Sequence, residues 1–181
     1  VHNNMVIDTK SFIQGSKGAI PLVDEYSGTH EITRNFKQQT FFPLSSSLES
    51  IDNGRFKTTS LFTTKGESYA KTDFKEVGKG DWTFSKGKDY WGPFNLAMAA
   101  VEKKESSPRK VVVFGNSTFV SNSYFGQGGN QQLFLRAISW LVDEGELIAL
   151  NRPIQQIQKL MISASNRSLI FYLAVIIFPL F

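Results

Sequence analysis

The chain has 181 residues, 20 lysines and arginines against 16 acidic residues, and no cysteine. That length fits one domain, or one domain and a small extra, and is enough to bury a core. The absence of cysteine excludes disulfide scaffolds, thiolate zinc sites and cysteine nucleophiles, and two histidines, His2 and His30, are too few for a His-rich metal centre. A net charge of +4 with 41% hydrophobic residues describes a globular chain with a slightly basic surface rather than a disordered one.

In chain order, Met5-Val6-Ile7 predicts a strand ending at Asp8. Residues 10–26 carry Gly15, Gly18 and Pro21 and read as a loop; a short helical or turn segment follows from His30 to Lys37. Residues 40–44 predict a strand that Pro43 ends or places at an edge, and the polar residues 45–54 predict a turn at Asn53-Gly54. The threonine- and aromatic-rich run 56–63 is a strand, and 67–70 is one helical turn.

Residues 71–90 interleave lysines with Phe74, Trp82, Phe84 and Tyr90, a pattern suited to single-stranded nucleic acid or a glycan. Asp73, Glu76, Asp81 and Asp89 lie among them, so mixed charge favours a solvated loop or hairpin with a few packed aromatics, and no nucleic-acid partner is expected. After the Gly92-Pro93 break, residues 94–101 predict a buried strand and 102–109 a polar connection. Val111-Val112-Val113-Phe114 reads as a central parallel strand covered on both faces. Gly126-Gln127-Gly128-Gly129 leads into an amphipathic helix with Leu133, Phe134, Ala137, Ile138 and Leu141 at helical spacing, Asn130 as N-cap and Gly145 as stop. Strand, turned loop and helix make half of a βαβ unit.

Ligands in open α/β sheets bind beyond the carboxyl ends of strands, which places Asn116, Ser117 and Thr118 as candidate binding residues. A serine nucleophile at Ser117 needs a base, and His30 is the one interior histidine; the second glycine of a G-x-S-x-G elbow is missing. The glycines at 126–129 match neither a phosphate-cradling P-loop nor a dinucleotide fingerprint. No cofactor is expected.

Residues 169–181, LIFYLAVIIFPLF, carry no charge. As a helix they span about 20 Å, short of a bilayer core of about 30 Å. They are read as a membrane helix cut partway rather than a short buried core helix. Arg152, Lys159 and Arg167 are the only charges after Glu146, a basic approach that suits anionic headgroups.

Several ordered segments resemble a known family. His30-Glu31-Ile32-Thr33 is similar to an HPIT-like motif, and Thr59-Ser60-Leu61-Phe62-Thr63-Thr64 leading to Tyr69-Ala70 is similar to a second. Gly92-Pro93 precedes an apolar strand, as it does in the family. The most specific match is the VVFGNSTFVSN segment at 112–122 with GNQQLFLRAISWL at 129–141, followed by Leu147-Ile148-Ala149-Leu150. Together they resemble the auxiliary component of ABC-type transport systems, the gliding-motility-associated GldG-like family. Asn116 and Thr118 stand where that family has two acids, and Glu31 stands where it has proline.

The resemblance implies a partial flavodoxin-like, class I glutamine amidotransferase-like α/β domain over residues 1–150, its amino-terminal part missing. A basic juxtamembrane linker over 151–167 and the start of a transmembrane helix over 168–181 would follow. It implies a non-catalytic auxiliary component at the bacterial inner membrane, with its main domain extracytoplasmic and an ABC permease, an ATPase and membrane lipid as partners. Ligand or partner contacts would fall on Asn116, Ser117, Thr118, Asn122 and Asn130. The alternatives are a serine hydrolase using Ser117 and His30, and a soluble ligand, glycan or nucleic-acid binder.

Overall fold

The computed structural model describes residues 1–52, 54–103 and 108–142. The expected stop at Gly145, the segment 147–150, the linker and the apolar run at 169–181 lie outside the described residues. Among the described residues, no helix is long and apolar enough to cross a membrane.

The chain is a mixed, sheet-rich α/β protein. In order it forms β1 (Met5–Asp8), β2 (Leu22–Val23), β3 (Thr40–Phe41), β4 (Phe56–Thr63), β5 (Ser68–Lys71), the short helix α1 (Phe74–Gly78), β6 (Tyr90–Trp91), β7 (Asn95–Glu102), β8 (Lys110–Phe114) and the helix α2 (Asn130–Leu141). Three small sheets result, with strand orders β1-β5-β6, β2-β3 and β4-β7-β8, and every pairing described is antiparallel.

Side-chain alternation explains how the sheets share cores. In β1, Val6 enters the main core while Met5 and Ile7 join a smaller cluster with Ala19 and Tyr69. In β4, Leu61 and Phe62 are consecutive, yet both are buried. Register shifts on either side of Phe62 break the strict period of two and turn both side chains inward. Phe42, Leu96, Ala97, Phe119, Leu133 and Trp140 complete the main core.

The strand at 56–63 lies where the sequence places it, the strand expected over 94–101 runs one residue later, at 95–102, and the helix over 130–141 is present. Its inward stripe is Asn130, Leu133, Ala137 and Trp140, whereas Ile138 and Leu141 are 41% and 37% exposed. Tryptophan at 140 sets the rotation, because burying it also turns Leu133 and Ala137 inward.

Three expectations are corrected. The run Val111–Phe114 is not a central parallel strand: β8 pairs antiparallel with β7, and none of its five residues is fully buried. The connection from Glu102 to Lys110 has seven residues, 103–109, too few for a parallel crossover. Residues 68–71 form a strand rather than a helical turn, because β5 is the middle strand between β1 and β6. The strand expected over 40–44 ends at Phe41; Pro43 has no N–H to pair, and Leu44 turns the chain at φ 55°.

Candidate functional site

The turn after β8 is built by close approach. The Gly115 N–H donates to Leu96 O at 2.8 Å, and Gly115 O accepts from Ser46 N at 2.9 Å. A Cβ at Gly115 would overlap the Ser46 carbonyl oxygen and the Ser45 hydroxyl, so only glycine fits. Gly129 is equally crowded, since a Cβ there would lie 2.7 Å from both Gln38 Cβ and Phe36 Cζ. Its N–H donates to Gln39 O at 2.8 Å. Glycines at 115 and 129 thus clamp the segment 36–47 from two sides.

Asn130 follows Gly129 and is fully buried. Its Oδ1 accepts from Phe41 N at 2.9 Å. Its Nδ2 donates to Phe41 O at 3.1 Å, Phe119 O at 3.0 Å and Tyr124 O at 3.2 Å. One amide therefore replaces the sheet partner that β3 lacks and pins the turn after β8 to the start of α2. Asn130 is not the N-cap, which is Gly129. A buried amide with its donor and acceptor paired in this way is a structural bolt.

The other four candidates are neighbours on one turn. Asn116 Nδ2 donates to Pro43 O, while its Oδ1 is buried with no hydrogen-bond partner among the described residues. Ser117 is exposed and starts a turn of 3₁₀ helix over Thr118–Val120, its carbonyl accepting from Val120 N at 3.2 Å. Thr118 is half-buried and Asn122 is exposed. Ser117 and Asn122 are thus the freely presented polar side chains of the set.

His30 is engaged elsewhere. Its ring packs edge-on against Trp140 with centroids 4.9 Å apart, and its Nδ1 accepts from Ile32 N at 3.3 Å. Burial lowers its pKa. Among the described residues no hydrogen bond joins His30 to Ser117.

The stretch 71–91 is more ordered than a solvated hairpin. Asp73 caps α1 by accepting from Lys75 N at 3.0 Å and Glu76 N at 3.4 Å. Phe84 stacks on Trp91 at 4.5 Å, and Tyr69 meets both rings edge-on. Lys71 is fully buried, a placement the sequence reading missed. Its Nζ donates to Glu76 Oε2 at 2.5 Å, Thr83 O at 2.7 Å and Ser85 Oγ at 2.9 Å, and Asp89 Oδ2 lies 3.4 Å away. Asp89 also accepts from Thr72 N and Ser85 N.

Burial alone would lower the Lys71 pKa, but the Glu76 hydrogen bond and the Asp89 charge outweigh it and raise the value. Hydrogen bonds from Lys71, Lys88 and Ser85 pull the Glu76 carboxyl down to about 2. The four acids that made this stretch look solvated were a usable signal: Glu76 and Asp89 are there to neutralise one buried ammonium.

No family model, curated protein or solved structure matches the chain.

Proposed function

We propose that the chain is a non-catalytic auxiliary component of an ABC-type transport complex, with gliding-associated machines as one setting. In this reading residues 1–150 form the extracytoplasmic domain at the bacterial inner membrane, 151–167 approach the bilayer and 168–181 enter it. ABC permease and ATPase subunits are the partners. The supporting sequence features are the ordered motifs, the uncharged run at 169–181 and the lack of a P-loop lysine motif.

The observation that carries the reading is the packing of the block 115–141. Gly115 and Gly129 sit where a Cβ would overlap a neighbour, and the Asn130 amide bonds to Phe41 and Phe119, so the block that carries the resemblance is also a closely packed part of the fold. The domain is read further as a partial flavodoxin-like unit.

The functional test is recovery from membranes. The tagged chain is expressed in its native host, extracted in mild detergent and analysed for what accompanies it. Recovery of a permease and an ATPase, lost on deleting 168–181, is the expected result. A chain found alone in the soluble fraction would overturn the proposal.

A further inference from the structure

A cleft of about 560 Å³, lined by none of the five candidate residues, lies between residues 2–4 ahead of β1, the segment 47–49 and the strands β6 and β7. Its floor is rigid. Asn4 Nδ2 donates to Ser47 Oγ and Asn4 Oδ1 accepts from Ser47 N, both at 2.9 Å. Leu48 N donates to Asn95 O at 2.9 Å, and Asn95 Nδ2 donates to Leu48 O at 3.2 Å. A ligand would find this floor already formed.

The walls are of two kinds. Tyr90, Pro93 and Phe94 supply apolar surface, and the Tyr90 side of β6 is open, the residue being 66% exposed. Asn3 and a His2–Glu49 pair, with Nε2 and Oε2 3.1 Å apart, supply polar surface. Among the described residues, neither the Asn3 amide nor the Tyr90 hydroxyl has a hydrogen-bond partner.

This arrangement narrows the ligand class. No lysine or arginine lines the cleft, and an anion would face Glu49. A cation would find one carboxylate that is 72% exposed and screened by solvent. An extended peptide added along residues 47–48 needs free backbone groups, but the N–H and C=O groups of Ser47 and Leu48 are all engaged. A neutral molecule with one apolar face and a rim of hydroxyls fits both walls. Its C–H face lies on the tyrosine ring while the amide, the imidazole and the carboxylate take the hydroxyls. We propose that this cleft is a binding site for a neutral saccharide, with Tyr90 as the stacking platform and Asn3, His2 and Glu49 as the hydrogen-bonding rim.

The inference does not depend on the transport reading, and failure to recover a permease leaves it untouched. Saturation-transfer difference NMR on the chain with maltotriose, cellotriose and N,N′,N″-triacetylchitotriose tests it. Transfer to at least one trisaccharide is expected, at least tenfold weaker binding in Tyr90→Ala, and at least threefold weaker binding in Asn3→Ala. Lys86→Ala, away from the cleft, keeps wild-type binding. Circular dichroism of each variant confirms that the fold is retained. No transfer from any of the three sugars overturns the proposal, as does transfer that neither Tyr90→Ala nor Asn3→Ala weakens. Affinity that falls steeply with salt would likewise overturn it, because it would mean a charged ligand.

Discussion

The turn after β8 and the stretch from β5 to β6 both bury a polar residue, and they do so in opposite ways. Asn130 is neutral and bonded to four backbone groups across three segments. Lys71 is charged and bonded to two carboxylates, a hydroxyl and a carbonyl within one stretch of chain. A neutral amide loses little on desolvation once its donors and acceptors are matched, and its strength is independent of pH and salt. A buried ammonium needs its counter-charges in place, so the segment holding them is conditionally stable. The two regions therefore differ in what should unfold them.

The largest expected effect is Lys71→Met. It leaves Asp89 buried without its cation and should cost about 3–5 kcal/mol in urea unfolding. The double variant Lys71→Met/Asp89→Leu should recover part of that loss, because it removes the stranded charge too; an additive double loss would mean that the ion pair is not what holds the stretch. Asn130→Ala strands the Phe41 N–H and several carbonyls and should cost about 2–3 kcal/mol, the loss being the same at low and high salt. Gly115→Ala forces the turn away from Ser46 and should cost about 1–3 kcal/mol.

The acid response separates the regions without mutation. The Glu76 pKa is depressed in the fold to about 2 from an ordinary 4.5. Its contribution is therefore complete above the ordinary value and is lost as pH falls toward about 2. Hydrogen exchange, corrected for intrinsic rates, should show Thr72 and Ser85 amides losing protection over that window while Phe41 keeps it. Simultaneous loss at all three would show that the two polar centres are not independent. The smallest effect is Ser117→Ala, within about 0.5 kcal/mol of the parent, since its hydroxyl is exposed and caps nothing.

Long local patterns were legible in the sequence: the strands at 56–63 and 95–102 and the helix at 130–141 each have enough residues for a period to show. The direction of β8 was not, because three valines and a phenylalanine suit a parallel centre and an antiparallel flank equally, and only the seven-residue connection tells them apart. The role of Asn130 was hidden because its main partner, Phe41, is 89 residues away. Read locally, asparagine after two glycines is a cap; read in three dimensions, it completes a sheet edge. The stretch 71–91 hid Lys71 for another reason, since mixed charge describes both a solvated surface and a neutralised interior. The cleft floor escaped notice because Asn4, Ser47 and Asn95 come from three separate segments.

The candidate residues around the turn after β8 differ in what their side chains already do. Of the five candidates there, Asn130 is wholly engaged, Asn116 is tied to Pro43, and Ser117 and Asn122 are the ones presented to solvent. The direct measurement is urea unfolding of Asn130→Ala beside Ser117→Ala at neutral pH. A loss of about 2–3 kcal/mol for Asn130→Ala with no resolvable change for Ser117→Ala is the predicted result. Parent-like stability in Asn130→Ala would contradict the assignment of that residue as the bolt of the fold and return it to the list of ligand-binding candidates.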